Sequence, residues 1–201
     1  MSEDSQVLRR IMRLQILTIA WMTVEAIVGL GAAWTAHSPA LLGFGGDSVA
    51  ELLSAIIVFW RFRVGSDSEQ SERLAARVTG ALLFAVAGLV IISSGLALLG
   101  DRRPQPSLIG IGLLIVASIG MPWLAAQKRR LGGQLASAAL TADAAESSVC
   151  GYLSVIALAG LLINAIVHAP WADPISALAL LPHIVREGWE AVSASRSCCE
   201  V

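Results

Sequence analysis

The sequence predicts an all-α membrane protein of six transmembrane helices with both termini in the cytoplasm. Three observations carry this prediction. Hydrophobic residues make up 56% of the chain and charged residues only 14%, whereas soluble domains carry about 25% charged residues. Mean hydropathy is +0.72. The charges also fall in bursts between apolar stretches, each long enough to supply the roughly 20 helical residues that cross a bilayer core.

Six stretches qualify as spans: 14–36, 40–62, 76–99, 107–126, 137–167 and 171–190. The first is expected not to be a removable leader, because it starts late, lacks a clear small-x-small cleavage site, runs past 20 residues and contains Glu25. Spans one and two are joined only by His37-Ser38-Pro39, so they form an antiparallel hairpin. The polar run GSDSEQSE (65–72) is expected to be a solvated connector to span three. Arg102 and Arg103 separate spans three and four, and Lys128, Arg129 and Arg130 are expected to fill the connection after span four. Span five is long enough for its first turns to project from the membrane, and His168-Ala169-Pro170 turns it into span six. The chain thus divides into a cytoplasmic segment (1–13), a six-helix transmembrane domain (14–191) and a short Cys-bearing cytoplasmic tail (192–201) too small to fold alone.

Basic residues set the orientation. Of the 14 Lys and Arg residues, only Arg102 and Arg103 fall on the side opposite the termini. That side is therefore external, and the protein is an integral multi-pass protein, of the plasma (inner) membrane if the source is prokaryotic. A net charge of −1 argues against a nucleic-acid partner held through phosphates. Cys150 lies in an apolar run and Cys198 and Cys199 are adjacent, so the three cysteines do not form a disulfide framework.

An ionisable side chain at membrane depth costs at least about 2.5–3.5 kcal/mol and marks a candidate functional site. Glu25 lies in span one, Asp47 and Glu51 in span two, and Asp143, Glu146 and Cys150 in span five. Asp47 and Glu51 are four residues apart, as are Glu146 and Cys150, so each pair shares one helix face. Two such faces turned together offer three carboxylates and a thiol, a donor set that suits a tetrahedral divalent ion such as Zn2+. The structural alternatives are protonated carboxylates bonded to neighbouring helices, a Glu146 near a helix start, and a Cys150 that is an inert small hydrophobe. Glu25 is open between auxiliary ligand, proton relay and helix partner. Asp143 is open between the relay role and solvation of the start of span five. His37 and His168 occupy the outer turns. His183 follows Pro182 in span six, where it either satisfies a carbonyl freed by the kink or faces the pore, the structural role being favoured. The six tryptophans mostly sit at span ends as interfacial anchors, and Gly29, Gly31, Ala32 and Ala33 allow close helix contact.

The segments SPALLGFGGDSVAELLSAIIVFWRFR (38–63), ADAAESSVCGYLSVIALAGLL (142–162) and WADPISALAL (171–180) resemble the transmembrane domain of the cation diffusion facilitators, the zinc-transporter family. The resemblance covers nearly the whole chain. It implies two metal ligands from helix two and two from helix five, which by position are Asp47, Glu51, Glu146 and Cys150. The family usually places Asp or His first and Asp second on each helix, so the second-position Glu51 and the Glu146–Cys150 pair depart from its pattern. A thiolate there favours softer ions over Mn2+. The cytoplasmic metal-binding domain usual in the family is expected to be lacking, and a homodimer is implied by the resemblance alone.

The expected function is secondary-active, proton-coupled efflux of a Zn2+-like divalent cation by alternating access, with no catalytic residues, no prosthetic group and no ATP-binding motif. The alternatives are a non-transporting metal sensor or accessory subunit, and a transporter of another cation-like solute. Cys198 and Cys199 are either a metal-capture pair near the pore entrance or incidental residues of a free tail.

Overall fold

Each predicted span lies, to within one residue, inside one α-helix of the computed structural model: α1 (Glu3–Ala36), α2 (Pro39–Val64), α3 (Glu69–Leu98), α4 (Leu108–Gln134), α5 (Ala138–Val167) and α6 (Ala172–Ser197). The structure describes residues 3–64, 69–101, 103–134 and 138–197, and side chains over 12–53, 55–56, 77–101, 103–134 and 144–193. No strand occurs among the described residues. Four stretches, Met12–Ala36, Arg77–Leu98, Leu108–Gln134 and Ala144–Val167, are long and apolar enough among the described residues to cross a membrane. The protein is a multi-pass integral membrane protein. The two remaining helices, α2 and α6, carry acids along their length.

The helices outrun the apolar stretches that predict them. At 34 residues α1 is about 51 Å long, well beyond a bilayer core of about 30 Å. Helix α3 already starts at Glu69, within the expected connector, and α6 runs to Ser197, into the expected tail. Likewise α4 continues through Lys128, Arg129 and Arg130 instead of ending before them. The reason is that hydropathy marks the length in contact with lipid, whereas Glu, Gln, Arg, Lys and Ala propagate a helix equally well in water. Lys128 is fully buried and donates to Ser147 Oγ of α5 at 2.9 Å.

Helices α1, α2, α4 and α5 close a ring through the pairs α1–α2, α1–α4, α4–α5 and α2–α5. Helices α3 and α6 pair along its flank, where both touch α2 and α6 also touches α5. Helix α2 is thus wrapped by α1, α3, α5 and α6. Two glycines let it enter. A Cβ on Gly45 would lie 2.9 Å from the Leu30 backbone nitrogen of α1, and one on Gly46 would lie 2.5 Å from Val86 Cγ1 of α3. The next residue is Asp47, which these close approaches enclose. Gly29 meets Gly45 in the same crossing, as the small-residue pattern predicts, but Gly31 faces open space.

The two hairpin turns are built alike. His37 and His168 end α1 and α5 in the left-handed region, at φ of 51° and 55°, a conformation that stops a helix and costs most side chains about 1–2 kcal/mol. A proline two residues on opens the next segment. Ser38 caps α2 by accepting from the Leu41 N–H at 3.2 Å. The turns are also tied to other elements: Asp173 of α6 accepts from Ser38 Oγ and the Ala40 N–H, and the Gln105 N–H donates to the Ala36 carbonyl at 2.8 Å.

Candidate metal centre

Asp47 and Glu51, on successive turns of α2, point into the bundle with 0% and 6% exposure. Among the described residues neither Asp47 oxygen has a hydrogen-bond donor, and neither does Glu51 Oε2. Buried polar atoms are nearly always partnered, so three orphaned carboxylate oxygens in one interior are the outstanding chemical feature of the fold.

The helices around α2 bring further donors to this interior. From α5, the fully buried Cys150 thiol lies against the Glu51 carboxylate and 4.0 Å from Glu25 Oε2 of α1. Glu25 is itself fully buried, and its other oxygen accepts from Trp21 Nε1 at 2.7 Å. Trp21 therefore serves the interior instead of anchoring a span end, unlike the exposed Trp34, Trp123, Trp171 and Trp189. Glu146 stands one turn from Cys150 and is half-buried.

Helix α6 adds a pair that was not among the predicted ligands. Glu187 lies against Asp47, and His183 Nε2 is 3.2 Å from Glu187 Oε2. Donor atoms of Asp47, His183 and Glu187 all lie within 4.8 Å of one another. Among the described residues no three of the predicted ligands Asp47, Glu51, Glu146 and Cys150 meet that closeness, although they surround the same interior. The signal for the α6 pair was present in the sequence as the same four-residue spacing. It was masked because Glu187 falls near the end of span six, where an acid reads as interfacial.

The other predicted positions lie outside this centre. Exposed His37 is ten residues before Asp47, about 15 Å along a helix axis, and His168 is exposed at its own turn. A cavity of about 490 Å3, an apolar groove between α1, α2 and α3 beside the His37 turn, is lined by none of the acids. The side chain of Asp143, and Cys198 and Cys199 altogether, lie outside the described residues.

Carboxylates, an imidazole and a thiol thus gather between the helices of a membrane protein. The model of the cation efflux transmembrane domain matches residues 16–197. The chain is 24% identical to the uncharacterized transporter YdbO of Bacillus subtilis (strain 168), over 87% of this chain and 63% of that protein. It is 30% identical to transmembrane protein 163 of Xenopus laevis, over 70% of this chain and 53% of that one. It is 29% identical to the uncharacterized transporter sll1263 of Synechocystis, over 81% and 56% respectively. The chain thus spans less than two thirds of the length of these curated relatives. With 182 consecutive residues matched by one family model, this chain belongs to the cation efflux family through its transmembrane domain.

Proposed function

We propose that the protein is a secondary-active efflux transporter of divalent transition-metal cations, Zn2+ first among them, driven by counter-movement of protons. One observation carries the reading: Asp47 is buried, beside Glu51 and Cys150, with no donor to either carboxylate oxygen among the described residues. Such a group needs a proton or a cation, and a site that can hold either in turn exchanges one for the other.

In this reading Asp47 and Glu51 of α2, with Glu146 and Cys150 of α5, hold the ion in transit. Ligands must be deprotonated to bind, so loading from the cytoplasm releases protons. The helices then rock, and protons from outside compete the ion off. Glu25 touches the thiol and is hydrogen-bonded to Trp21, which suits it to receive the thiol proton. The working unit is a homodimer, on the family resemblance.

The test is reconstitution into liposomes that contain a Zn2+-sensitive dye. Zn2+ flux driven by a pH gradient and lost in Asp47→Ala supports transport. Tight binding without flux identifies a non-transporting metal sensor or subunit instead. Wild type with neither flux nor binding overturns the metal reading altogether.

A further inference from the structure

His183 and Glu187 are one turn apart on α6, so both side chains fall on the face turned to α2. An isolated His–Glu pair at this spacing is a helix-stabilising contact and needs no third partner. Here the pair does not stand alone. Glu187 Oε2 is buried and 3.2 Å from His183 Nε2, yet the two are not aligned as a hydrogen bond, and the oxygen has no other donor among the described residues. Fully buried Asp47, aimed at the same point, has two oxygens in the same condition. One imidazole nitrogen and carboxylate oxygens from two residues therefore face one another within 4.8 Å, and among the described residues the Asp47 oxygens have no donor.

The set is graded in access. His183 and Glu187 side chains are 27% and 23% exposed, whereas Asp47 is sealed. Three protein ligands leave a tetrahedral ion one open position, as at sites where zinc exchanges its fourth ligand; four would close it. The imidazole favours Zn2+, Cu2+, Ni2+ and Fe2+ over Mg2+ and Ca2+, which prefer all-oxygen shells. Pro182, just before His183, removes the backbone bond that would reach the Leu178 carbonyl, giving α6 a point at which to bend.

We propose that Asp47, His183 and Glu187 form a second cation position, built on α6, from which the ion passes to Glu51 and Cys150 while Asp47 stays bound as the shared ligand. The passage step rests on the transport reading above, whereas binding at α6 does not. Because Asp47 serves both positions, they are successive stations of one ion. The α6 position selects borderline divalent metals before the thiol-bearing position accepts them.

The test has two arms, both on the full chain. In detergent micelles the wild type is treated with diethyl pyrocarbonate, with and without Zn2+, and modification of each histidine is read by mass spectrometry. Zn2+ should slow modification of His183 by about tenfold or more, an occupancy of at least about 90%, and leave exposed His37 and His168 unaffected. The protection should persist in a Glu51→Gln/Cys150→Ser double variant. In liposomes, His183→Gln and Glu187→Gln should each lower the initial Zn2+ rate by about tenfold at limiting Zn2+, with recovery at higher Zn2+, the signature of a weakened ligand set. Unprotected His183 in wild type that transports Zn2+ overturns the α6 position and leaves the transport reading intact. Protected His183 with no flux in wild type leaves the α6 position standing and removes the transport reading and the passage step with it. Protection with full transport in both Gln variants removes the passage step.

Discussion

Asp173, in the first turn of α6, accepts a 2.5 Å hydrogen bond from the Ser38 hydroxyl, 135 residues away in the α1–α2 turn. Its second oxygen accepts from the Ala40 N–H at 3.0 Å. One buried carboxylate thus locks the start of α6 to the start of α2, the two helices that meet again at Asp47 and Glu187. Asp173→Ala leaves a hydroxyl and an N–H buried without an acceptor, at about 1–3 kcal/mol each. We expect a lower melting temperature in micelles and weaker Zn2+ binding, with Asp173→Asn intermediate because its carbonyl still accepts. Unchanged melting in Asp173→Ala would show that the clamp contributes nothing.

Asp47 should have the opposite sign. Its carboxylate is buried without a donor, a condition that destabilises the metal-free fold. Asp47→Asn removes the charge and brings an amide that can donate to Glu187, so at a pH that ionises the wild-type carboxylate it should raise metal-free stability, measured in a chelator, by about 1–3 kcal/mol. The same variant should lose the Zn2+-dependent rise in melting temperature, worth about 2.7 kcal/mol in wild type at a hundredfold excess over Kd. A metal-free Asp47→Asn protein less stable than wild type would mean that the carboxylate is satisfied in solution.

The α1–α2 crossing gives a paired test. A Cβ at Gly45 would meet the Leu30 backbone nitrogen at 2.9 Å and its side chain at 3.1 Å, whereas Gly31 faces nothing within 4 Å. Gly45→Ala should destabilise by about 1–3 kcal/mol and, by moving α2 two residues before Asp47, weaken Zn2+ binding. Gly31→Ala should be neutral or up to about 1 kcal/mol stabilising through helix propensity. Equal effects at the two glycines would contradict the crossing.

Cys150 tests the thiol. It is fully buried against Glu51 and Glu25. If the sulfur binds the ion, Cys150→Ser should reduce Cd2+ handling about tenfold more than Mn2+ handling, because thiolates prefer soft ions. Equal loss for both ions in the liposome assay would return Cys150 to the apolar core, in which it also takes part.

Proton exchange predicts the sign of the pH dependence. Each proton released on loading makes Zn2+ affinity rise about tenfold per pH unit while the ligands still titrate. Calorimetry in buffers of different ionisation enthalpy should report at least one proton per ion. A pH-independent affinity between pH 6 and 8, chosen as roughly bracketing physiological pH, would remove proton coupling at this site.

Much of this was legible in the chain. Apolar length predicted six spans, each of which lies inside one helix to within one residue, since a bilayer sets span length whatever the partners. Spacing also put Asp47 with Glu51 and Glu146 with Cys150 on shared faces, because helical periodicity is local. Helix ends in water were less legible: Lys128–Arg130 read as a connection, yet they are helical and Lys128 is buried.

What the chain alone determined is therefore everything that depends on distance along it: membrane class, helix number, and which acids share a face. Tertiary structure decided which faces meet. That depends on how closely helices approach, and Gly45 and Gly46 admit α2 between α1 and α3 only when the backbones are in register. It brought Glu25, which Trp21 holds by a hydrogen bond, against the Cys150 thiol across 125 residues. It also turned His183 and Glu187 of α6, read from the sequence as a kink and a span end, toward the two unpartnered oxygens of Asp47.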